Sequence, residues 1–284
     1  MKIQHFYDDQ TSTLTYVVYD EGTKTGVVID TVTDFDPSSG RTGNGSNEKV
    51  AGFIDELGLT IPYVLDTHVH ADHFTGLPYF KERYGCKTVI GKYITGVQAA
   101  FRDAFNLGAN FPVDGSQFDV LLEDGETLEA GPIRIKAIHT PGHTPACLTY
   151  QIGDALFVGD AIFMPDFGTA RCDFPGGSGE MLYDSIQKLY ALPDETRIFT
   201  CHDYMPGGRE LRYQSTVGEQ KKSNVQLNEN TTREDYVAFR KQKDAKLSLP
   251  KLILPALQVN IRAGHLPEPE ENGTSYLKIP LNRF

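Results

Sequence analysis

Cysteine is scarce in this chain of 284 residues. The four cysteines, Cys86, Cys147, Cys172 and Cys201, are widely spaced and form no C-x-x-C pair. This spacing fits neither a disulfide framework nor a zinc ribbon, so each cysteine is interpreted as a small buried hydrophobic residue. We assign no role to Cys172 or Cys201, although both lie close in sequence to the metal-ligand motifs described below.

Positive charge is also in deficit, because 27 Lys and Arg residues face 38 Asp and Glu residues, for a formal net charge of −11. A surface that binds phosphates needs clustered positive charge, so this balance argues against a nucleic-acid partner. No apolar run approaches the roughly 20 residues needed to span a bilayer. The segment from Met1 to Gln10 is too polar for a secretory peptide. These features predict a soluble, cytoplasmic protein without a membrane partner.

Helical and strand patterns alternate along the first two thirds of the chain. The segment from Glu48 to Gly58 has the apolar spacing of a helix and ends at glycine, whereas Tyr63 to Thr67 has the pattern of a buried strand. The polar stretch from Thr33 to Asn47 is predicted to be a loop. Residues 214 to 247 are predicted to be charged and helical, and the tail from Pro250 to be extended.

Two rounds of helix and strand predict two β-sheets packed face to face with helices outside. This is a four-layer αββα arrangement of the α/β class, because a sheet with one strongly apolar face must bury that face. The predicted catalytic domain covers residues 1–205. Residues 206–284 are predicted to be a short C-terminal helical extension that packs on the same unit and could cover one mouth of the site.

The segment from Thr67 to His73, T-H-V-H-A-D-H, carries the strongest chemical signal. Alternation places His68 and His70 on the same face of an extended segment, and the following turn brings Asp72 and His73 back toward them. Imidazole nitrogen and carboxylate oxygen suit zinc, iron or manganese. Three more ligand-type residues follow predicted strands: His143 in T-P-G-H-T, Asp160 in V-G-D, and His202 before Asp203 and Tyr204. Together these residues predict a metal site.

This order of motifs resembles the metallo-β-lactamase superfamily over residues 14 to 202. The resemblance implies the αββα sandwich of that superfamily, but it says little about the reaction. Flavodiiron members differ because they have Glu where this chain has His70. Nuclease members usually need a basic face, which the charge balance disfavours.

Further segments resemble the persulfide dioxygenases, the family that includes the mitochondrial enzyme lost in ethylmalonic encephalopathy. The segment from Gly168 to Phe174, G-T-A-R-C-D-F, is similar to the family signature G-x-x-R-x-D-F, and Asn260 to Arg262 is similar to its N-M-R segment. The tail from Pro267 to Leu281 resembles bacterial members in particular. With His-Asp-Tyr at 202 to 204, the resemblance covers nearly the whole chain. No second α/β pattern follows, so we expect no added rhodanese domain.

The resemblance implies one Fe(II) per chain, held by His68, His143 and Asp160. The other ligand-type residues are then expected to support these three or to bind a second metal; they are His70, Asp72, His73 and His202. Two histidines and one carboxylate leave open positions for oxygen and substrate on redox-active iron. Zinc, which the isolated protein could also carry, can activate water but cannot transfer electrons.

Arg171, Tyr204 and Arg262 are the candidate substrate-binding residues, and the first two are also the candidate catalytic residues. Arg171 could orient the glutathionyl part of a persulfide, or pair with Asp173 to brace its loop. Tyr204 could donate a hydrogen bond to substrate, or be a buried tyrosine with a satisfied hydroxyl. Arg262 is a candidate for binding a glutathione carboxylate.

The resemblance predicts a glutathione-dependent persulfide dioxygenase that converts glutathione persulfide and O2 to sulfite and glutathione at mononuclear non-heme iron. The alternative is a glyoxalase-II-like thioester hydrolase, in which all seven ligand-type residues hold two metals bridged by Asp160. A metal-loaded binding module without turnover is a third hypothesis. Lactam hydrolysis is the least favoured, because we find no export signal. The oligomeric state stays open, with a homodimer among the alternatives.

Overall fold

A computed structural model of the chain describes residues 1–283. The strands of this part are β1 (Lys2–Asp8), β2 (Thr13–Asp20), β3 (Thr25–Ile29), β4 (Asp34–Asp36), β5 (Arg41–Gly43), β6 (Thr60–Leu65), β7 (Lys87–Gly91), β8 (Val120–Leu122), β9 (Thr127–Ala130), β10 (Ile133–His139), β11 (Leu148–Ile152), β12 (Ala155–Phe157), β13 (Arg197–Phe199) and β14 (Gln214–Thr216). The α-helices are α1 (Gly45–Leu57), α2 (Leu77–Tyr84), α3 (Ile94–Ala104), α4 (Gly179–Tyr190), α5 (Val217–Ser223), α6 (Arg233–Asp244) and α7 (Ile253–Asn260).

The strands form two six-stranded sheets. The first has the order β1-β2-β3-β6-β7-β8, and the second has the order β14-β13-β12-β11-β10-β9. One apolar cluster joins the facing surfaces of the two sheets through side chains such as Tyr16, Ile29, Ile135 and Phe157. A second cluster covers the outer face of the first sheet with α1, α2, α3 and α7, and a third covers the second sheet with α4, α5 and α6. The predicted four-layer αββα fold is confirmed.

The predicted loop from Thr33 to Asn47 is wrong in part, because it contains a small hairpin and the start of a helix. Strands β4 and β5 pair with each other, and α1 begins at Gly45 rather than near Glu48. The Phe35 ring of this hairpin stacks on Phe74 with centroids 4.3 Å apart. Strands of three residues are too short to show a period, so the hairpin could not be predicted from the sequence. The contact between Phe35 and Phe74 depends on the tertiary fold.

The prediction of an extended tail from Pro250 is also wrong in part, because α7 forms over Ile253–Asn260, whereas residues 265–283 contain neither helix nor strand. Pro255 lies in the first turn of α7, where a backbone N–H would have no partner within the helix. The helix buries Ile253 and Leu257 in the apolar cluster that covers the first sheet. Tertiary burial therefore outweighs the local proline signal.

The residues after 205 contribute to both halves of the fold. The stretch from 214 to 247 is helical in α5 and α6, but it begins with β14, which pairs with β13 at the edge of the second sheet. The division of the chain at 205 and 206 stays a prediction. Among residues 1–283, no helix is both long and apolar enough to cross a membrane.

Candidate metal centre

The predicted ligands lie where strands of the two sheets end at a common edge. Strands β12 and β13 are parallel, and β10 runs in the same direction because both β10 and β12 are antiparallel to β11. The segments that follow these three strands carry His143, Asp160 and His202. The segment after β6 of the first sheet adds His68. Residues up to 134 positions apart in the sequence thus meet at one site.

His68, His143 and Asp160 form a compact group, which we call the triad. The Nε2 atoms of His68 and His143 lie 3.9 and 3.7 Å from Asp160 Oδ2, respectively. All three side chains are buried, and their ligand atoms lie within 4.8 Å of one another. The structure therefore brings together the three residues that the resemblance implied as iron ligands.

Hydrogen bonds turn the Nε2 atom of each triad histidine toward Asp160. His143 Nδ1 donates to the carbonyl oxygen of Arg171 at 2.9 Å, and His68 Nδ1 lies 3.0 Å from Thr67 Oγ1. Such contacts fix the orientation of metal-binding imidazoles. Burial lowers the pKa of His68 well below its usual value, which favours the neutral form that binds metals.

Gly159, immediately before Asp160, allows the second sheet to approach the histidine loop closely. Its φ of +52° lies in the left-handed region, and a Cβ at this position would come within 2.5 Å of Thr67 Oγ1. A side chain would therefore clash with the residue that supports His68. This geometry gives a physical reason for glycine in the V-G-D motif.

The remaining four ligand-type residues form a neighbouring group, which we call the second cluster: His70, Asp72, His73 and His202. His202 Nε2 lies 3.2 Å from Asp72 Oδ2 and 3.5 Å from Asp160 Oδ1. Asp160 therefore presents one oxygen to the triad and the other to the second cluster. Burial opposes ionisation of Asp72, but the adjacent His202 and His73 outweigh it and lower the pKa of this carboxyl.

A buried carboxylate, that of Asp30, fixes the His70 ring through its Nε2 atom. This Nε2 atom lies 3.1 Å from Asp30 Oδ1, and Asp30 also accepts hydrogen bonds from the backbone N–H and the hydroxyl of Thr67. Burial raises the pKa of Asp30. The contact leaves His70 Nδ1 as the ligand atom that this residue offers to the second cluster.

Several buried atoms of the centre have no hydrogen-bond partner among residues 1–283. They are His70 Nδ1, His73 Nε2, His202 Nε2 and Asp160 Oδ1. An unsatisfied buried polar atom costs about 1–3 kcal/mol, so four in one place indicate a missing bonding partner. A nitrogen and oxygen donor set of this kind fits a zinc or iron ion.

Two residues that were not predicted as site residues, Asn260 and Thr13, support the histidines of the second cluster. Asn260 Nδ2 donates to the carbonyl oxygens of His70 and His73, which holds the histidine loop against α7. Thr13 Oγ1 lies 3.3 Å from His73 Nδ1 and 3.4 Å from His202 Nδ1. Asn260 could have been identified from the N-I-R segment that it begins. Thr13 could not be identified from the sequence, because its role depends on the pairing of distant segments.

Removal of metal is expected to destabilise the fold. A ligand at a thousandfold excess over its Kd adds about 4 kcal/mol, which corresponds to about 10 °C in Tm. We therefore expect a chelator to lower the Tm of metal-loaded protein by about 10 °C, and re-addition of Fe(II) or Zn(II) to restore it. Differential scanning calorimetry measures this shift. An unchanged Tm after verified metal loss would contradict the prediction.

A cavity of about 680 Å³ opens onto His143 and Asp160. Aromatic side chains supply much of its wall: Phe35, Phe163, Phe167, Phe174 and Tyr204. Such a cavity can exclude water from a reacting group at the metal while it holds a small organic molecule. The centre is therefore accessible to a substrate of modest size.

Arg171 lines the cavity, but its guanidinium is already bound within the protein. Nε and Nη2 donate to the Asp173 carboxylate at 2.6 and 2.7 Å, and Nη1 donates to the Ser248 carbonyl oxygen at 2.7 Å. These contacts fit the alternative in which Arg171 pairs with Asp173 and braces its loop. Its backbone carbonyl also supports His143. The catalytic and substrate-binding roles of Arg171 stay predictions.

Tyr204 lines the cavity beside the second cluster. Its ring stacks on His202 with centroids 5.7 Å apart, and the side chain is 42% exposed. Its hydroxyl has no hydrogen bond to any of residues 1–283, so the alternative of a fully buried and satisfied tyrosine does not describe it. The side chain is placed to contact a substrate, and that role stays a prediction.

Arg262 does not line the cavity. Its guanidinium lies 4.8 Å from the centroid of the Phe111 ring, and Nη1 donates to the Gln258 carbonyl oxygen one turn earlier. The contact with Gln258, in the last turn of α7, directs the side chain toward Phe111. The structure therefore does not support binding of a glutathione carboxylate by Arg262.

Comparison with known proteins relates this geometry to a family. Residues 8–202 match the family described as the metallo-beta-lactamase superfamily. The chain is 49% identical to a probable metallo-hydrolase of Burkholderia pseudomallei, with 99% of each chain covered. It is 50% identical to a beta-lactamase hydrolase-like protein of Xylella fastidiosa, but 99% of the chain spans only 65% of that protein's length.

Two further relatives have names that describe different reactions. The chain is 44% identical to Glyoxylase B2 of Dictyostelium discoideum, covering 99% of the chain and 97% of that protein. It is 31% identical to the mitochondrial persulfide dioxygenase ETHE1 of Bos taurus, and the match covers 92% of this chain and 88% of that protein. Among solved structures, ETHE1 from Myxococcus xanthus is similar with a TM-score of 0.75 and 30% identity, covering 93% of this chain and all of the other.

Proposed function

The chain belongs to the metallo-β-lactamase superfamily, and we propose that within it the protein is a glutathione-dependent persulfide dioxygenase with one Fe(II). The observation that carries the proposal is the triad, in which the ligand atoms of two histidines and one carboxylate lie within 4.8 Å of one another. Two histidines and one carboxylate are the donor set of non-heme iron oxygenases, because they leave positions open for oxygen and substrate. The similarity to ETHE1 proteins supports the same reaction.

In the proposed reaction, glutathione persulfide, O2 and water give glutathione, sulfite and two protons. The terminal sulfur is oxidised, O2 is reduced, and the sulfur–sulfur bond breaks to release glutathione. Bound Fe(II) would supply adjacent coordination positions and electron transfer between sulfur and oxygen.

The protein's part in this reaction is to hold and shield the centre. His68, His143 and Asp160 would hold the iron, and the hydrogen bonds to the two Nδ1 atoms would keep the imidazoles directed at it. The aromatic cavity wall would exclude water from the persulfide sulfur. Tyr204, whose hydroxyl lacks a partner among residues 1–283, could donate a hydrogen bond to the substrate.

A glyoxalase-II-like thioester hydrolase is the second candidate. It is favoured by the four unpartnered atoms at and around the second cluster, and by Asp160, which faces both groups and could bridge two metals. The similarity to Glyoxylase B2 supports this alternative. In this case the seven ligand-type residues would hold two metals, and the metals would supply activated water for attack on a thioester carbonyl.

Metal exchange separates the two reactions. We expect protein reconstituted without oxygen with Fe(II) to consume O2 when glutathione persulfide is added, and to form one sulfite per O2. The same protein with Zn(II) should consume none, because zinc has no accessible redox change. An oxygen electrode and sulfite quantification measure the reaction, and S-lactoylglutathione serves as the thioester substrate. Thioester hydrolysis with two zinc ions, and no O2 uptake with iron, would overturn the proposal in favour of the hydrolase.

The proposal includes a cytoplasmic location and the absence of nucleic-acid and membrane partners. The net charge of −11 supports the exclusion of nucleic acid. A homodimer stays one alternative for the oligomeric state.

A further inference from the structure

The cavity wall has charged side chains that no opposite charge within the described chain neutralises. Outside the metal-ligand groups, four charged residues line the cavity without an ion pair to any of residues 1–283: Asp8, Asp34, Lys243 and Lys251. The two arginines of the wall differ, because Arg171 pairs with Asp173 and Arg240 pairs with Asp244. The free charges of the wall are therefore two carboxylates and two ammonium groups.

Lys243 is the more constrained of the two lysines. Its ammonium lies 5.9 Å from the centroid of the Phe167 ring and 5.5 Å from that of Phe239, and the side chain is half-buried. It donates no hydrogen bond to residues 1–283. Burial lowers the pKa of Lys243, so an anion beside it would stabilise the charged form. Lys251 is exposed, and no aromatic ring among residues 1–283 lies over its ammonium group.

The two carboxylates come from the N-terminal part of the chain. Asp8 accepts hydrogen bonds from Thr11 and from the hydroxyl of Ser46, and Asp34 accepts from the backbone N–H of Gly45. These neutral donors hold the carboxylates in place without cancelling their charge. Lys243, in contrast, belongs to α6 in the C-terminal part. The cavity thus combines acidic and basic groups from distant parts of the chain.

We propose that Lys243 is a specificity-determining residue that binds a carboxylate of the thiol substrate. Asp8 and Asp34 would then be available to bind the ammonium group of the substrate. This inference rests on the proposed function, because glutathione carries two carboxylates and one ammonium group at neutral pH. A partly desolvated ammonium–carboxylate contact is stronger than one in open solvent. The aromatic contacts place the Lys243 ammonium before substrate arrives, which reduces the entropy lost on binding.

The test compares Lys243→Met with two other variants, using iron-loaded full-length protein. Lys241→Met makes the same charge change on the same helix, but Lys241 is exposed and does not line the cavity. Lys243→Arg keeps the positive charge. The substrates are glutathione persulfide and its diethyl ester, which lacks both carboxylates.

We expect Lys243→Met to raise the KM for glutathione persulfide by about tenfold and to change its kcat by less than about twofold. The KM for the diethyl ester should change by less than about twofold, Lys241→Met should match the unmodified protein, and Lys243→Arg should recover most of the affinity. An unchanged KM for glutathione persulfide overturns the proposal. An equal rise for acid and ester also overturns it, because such a result indicates a loss of structure rather than of charge recognition.

Calorimetric titration with reduced glutathione separates this inference from the proposed reaction. Suppose that the iron-loaded protein shows no O2 uptake but binds glutathione, and that Lys243→Met weakens this binding about tenfold. The carboxylate site is then supported, whereas the dioxygenase proposal is overturned. Equal binding by the unmodified protein and Lys243→Met, or no binding by either, overturns the assignment of Lys243.

Discussion

Replacement of His143 by alanine is expected to lower persulfide-dependent O2 uptake by at least about 1000-fold and to reduce bound iron to a small fraction of one per chain. The triad has three donors, so the variant would retain only His68 and Asp160. Two protein donors cannot hold Fe(II) at the affinity or in the orientation that the reaction requires. Metal analysis and an oxygen electrode measure the two effects on the same sample.

His139→Ala is the matched control, because His139 lies four residues earlier and outside the metal groups. Its Nε2 donates to the Pro145 carbonyl oxygen at 2.9 Å, and its ring stacks on Tyr93 with centroids 3.7 Å apart. We expect this variant to lose some stability but to keep its iron and its kcat. Full iron content and activity in a folded His143→Ala variant would contradict the assignment of the triad.

The ligand residues themselves could be identified from the sequence, because each follows a strand with a readable pattern. Their division into a triad and a second cluster could not be derived from spacing. It depends on the position of the His70 ring, whose Nε2 contacts Asp30, a residue 40 positions earlier that directly follows β3. Two histidines separated by one residue are equivalent in the period of a strand, so only the tertiary contact distinguishes His68 from His70.

The predicted substrate-binding residues also depend on tertiary contacts that the sequence does not show. A motif marks Arg171 as important, but it cannot tell whether the guanidinium faces substrate or Asp173, since both partners are carboxylates. The sequence does not distinguish Lys243 from its neighbours, because a lysine in a charged helix is usually a solvated residue. Its placement between Phe167 and Phe239 depends on how α6 packs over the second sheet.

Replacement of Arg240 by methionine is expected to destabilise the protein by about 3–5 kcal/mol, because it would leave the Asp244 charge buried without its partner. Arg240 is only 2% exposed, and it also donates to the Thr169 carbonyl oxygen and to Gln226. Denaturant unfolding measures the loss. Arg233→Met is the control on the same helix, because its pair with Asp184 is exposed and screened by solvent, so its loss should change stability far less.

The Arg240 variant should also weaken iron binding, because the buried pair holds the loop that supports His143. Arg240 contacts the loop at the Thr169 carbonyl, and Asp244 accepts a hydrogen bond from the backbone N–H of Cys172 at 2.9 Å. Between these two points lies the Arg171 carbonyl oxygen, which accepts from His143 Nδ1. A loosened loop would let the His143 ring rotate, so Arg240→Met should lose iron at temperatures where it is still folded. If Arg240→Met lost stability but bound iron as tightly as Arg233→Met, the pair would stabilise the fold without orienting the triad.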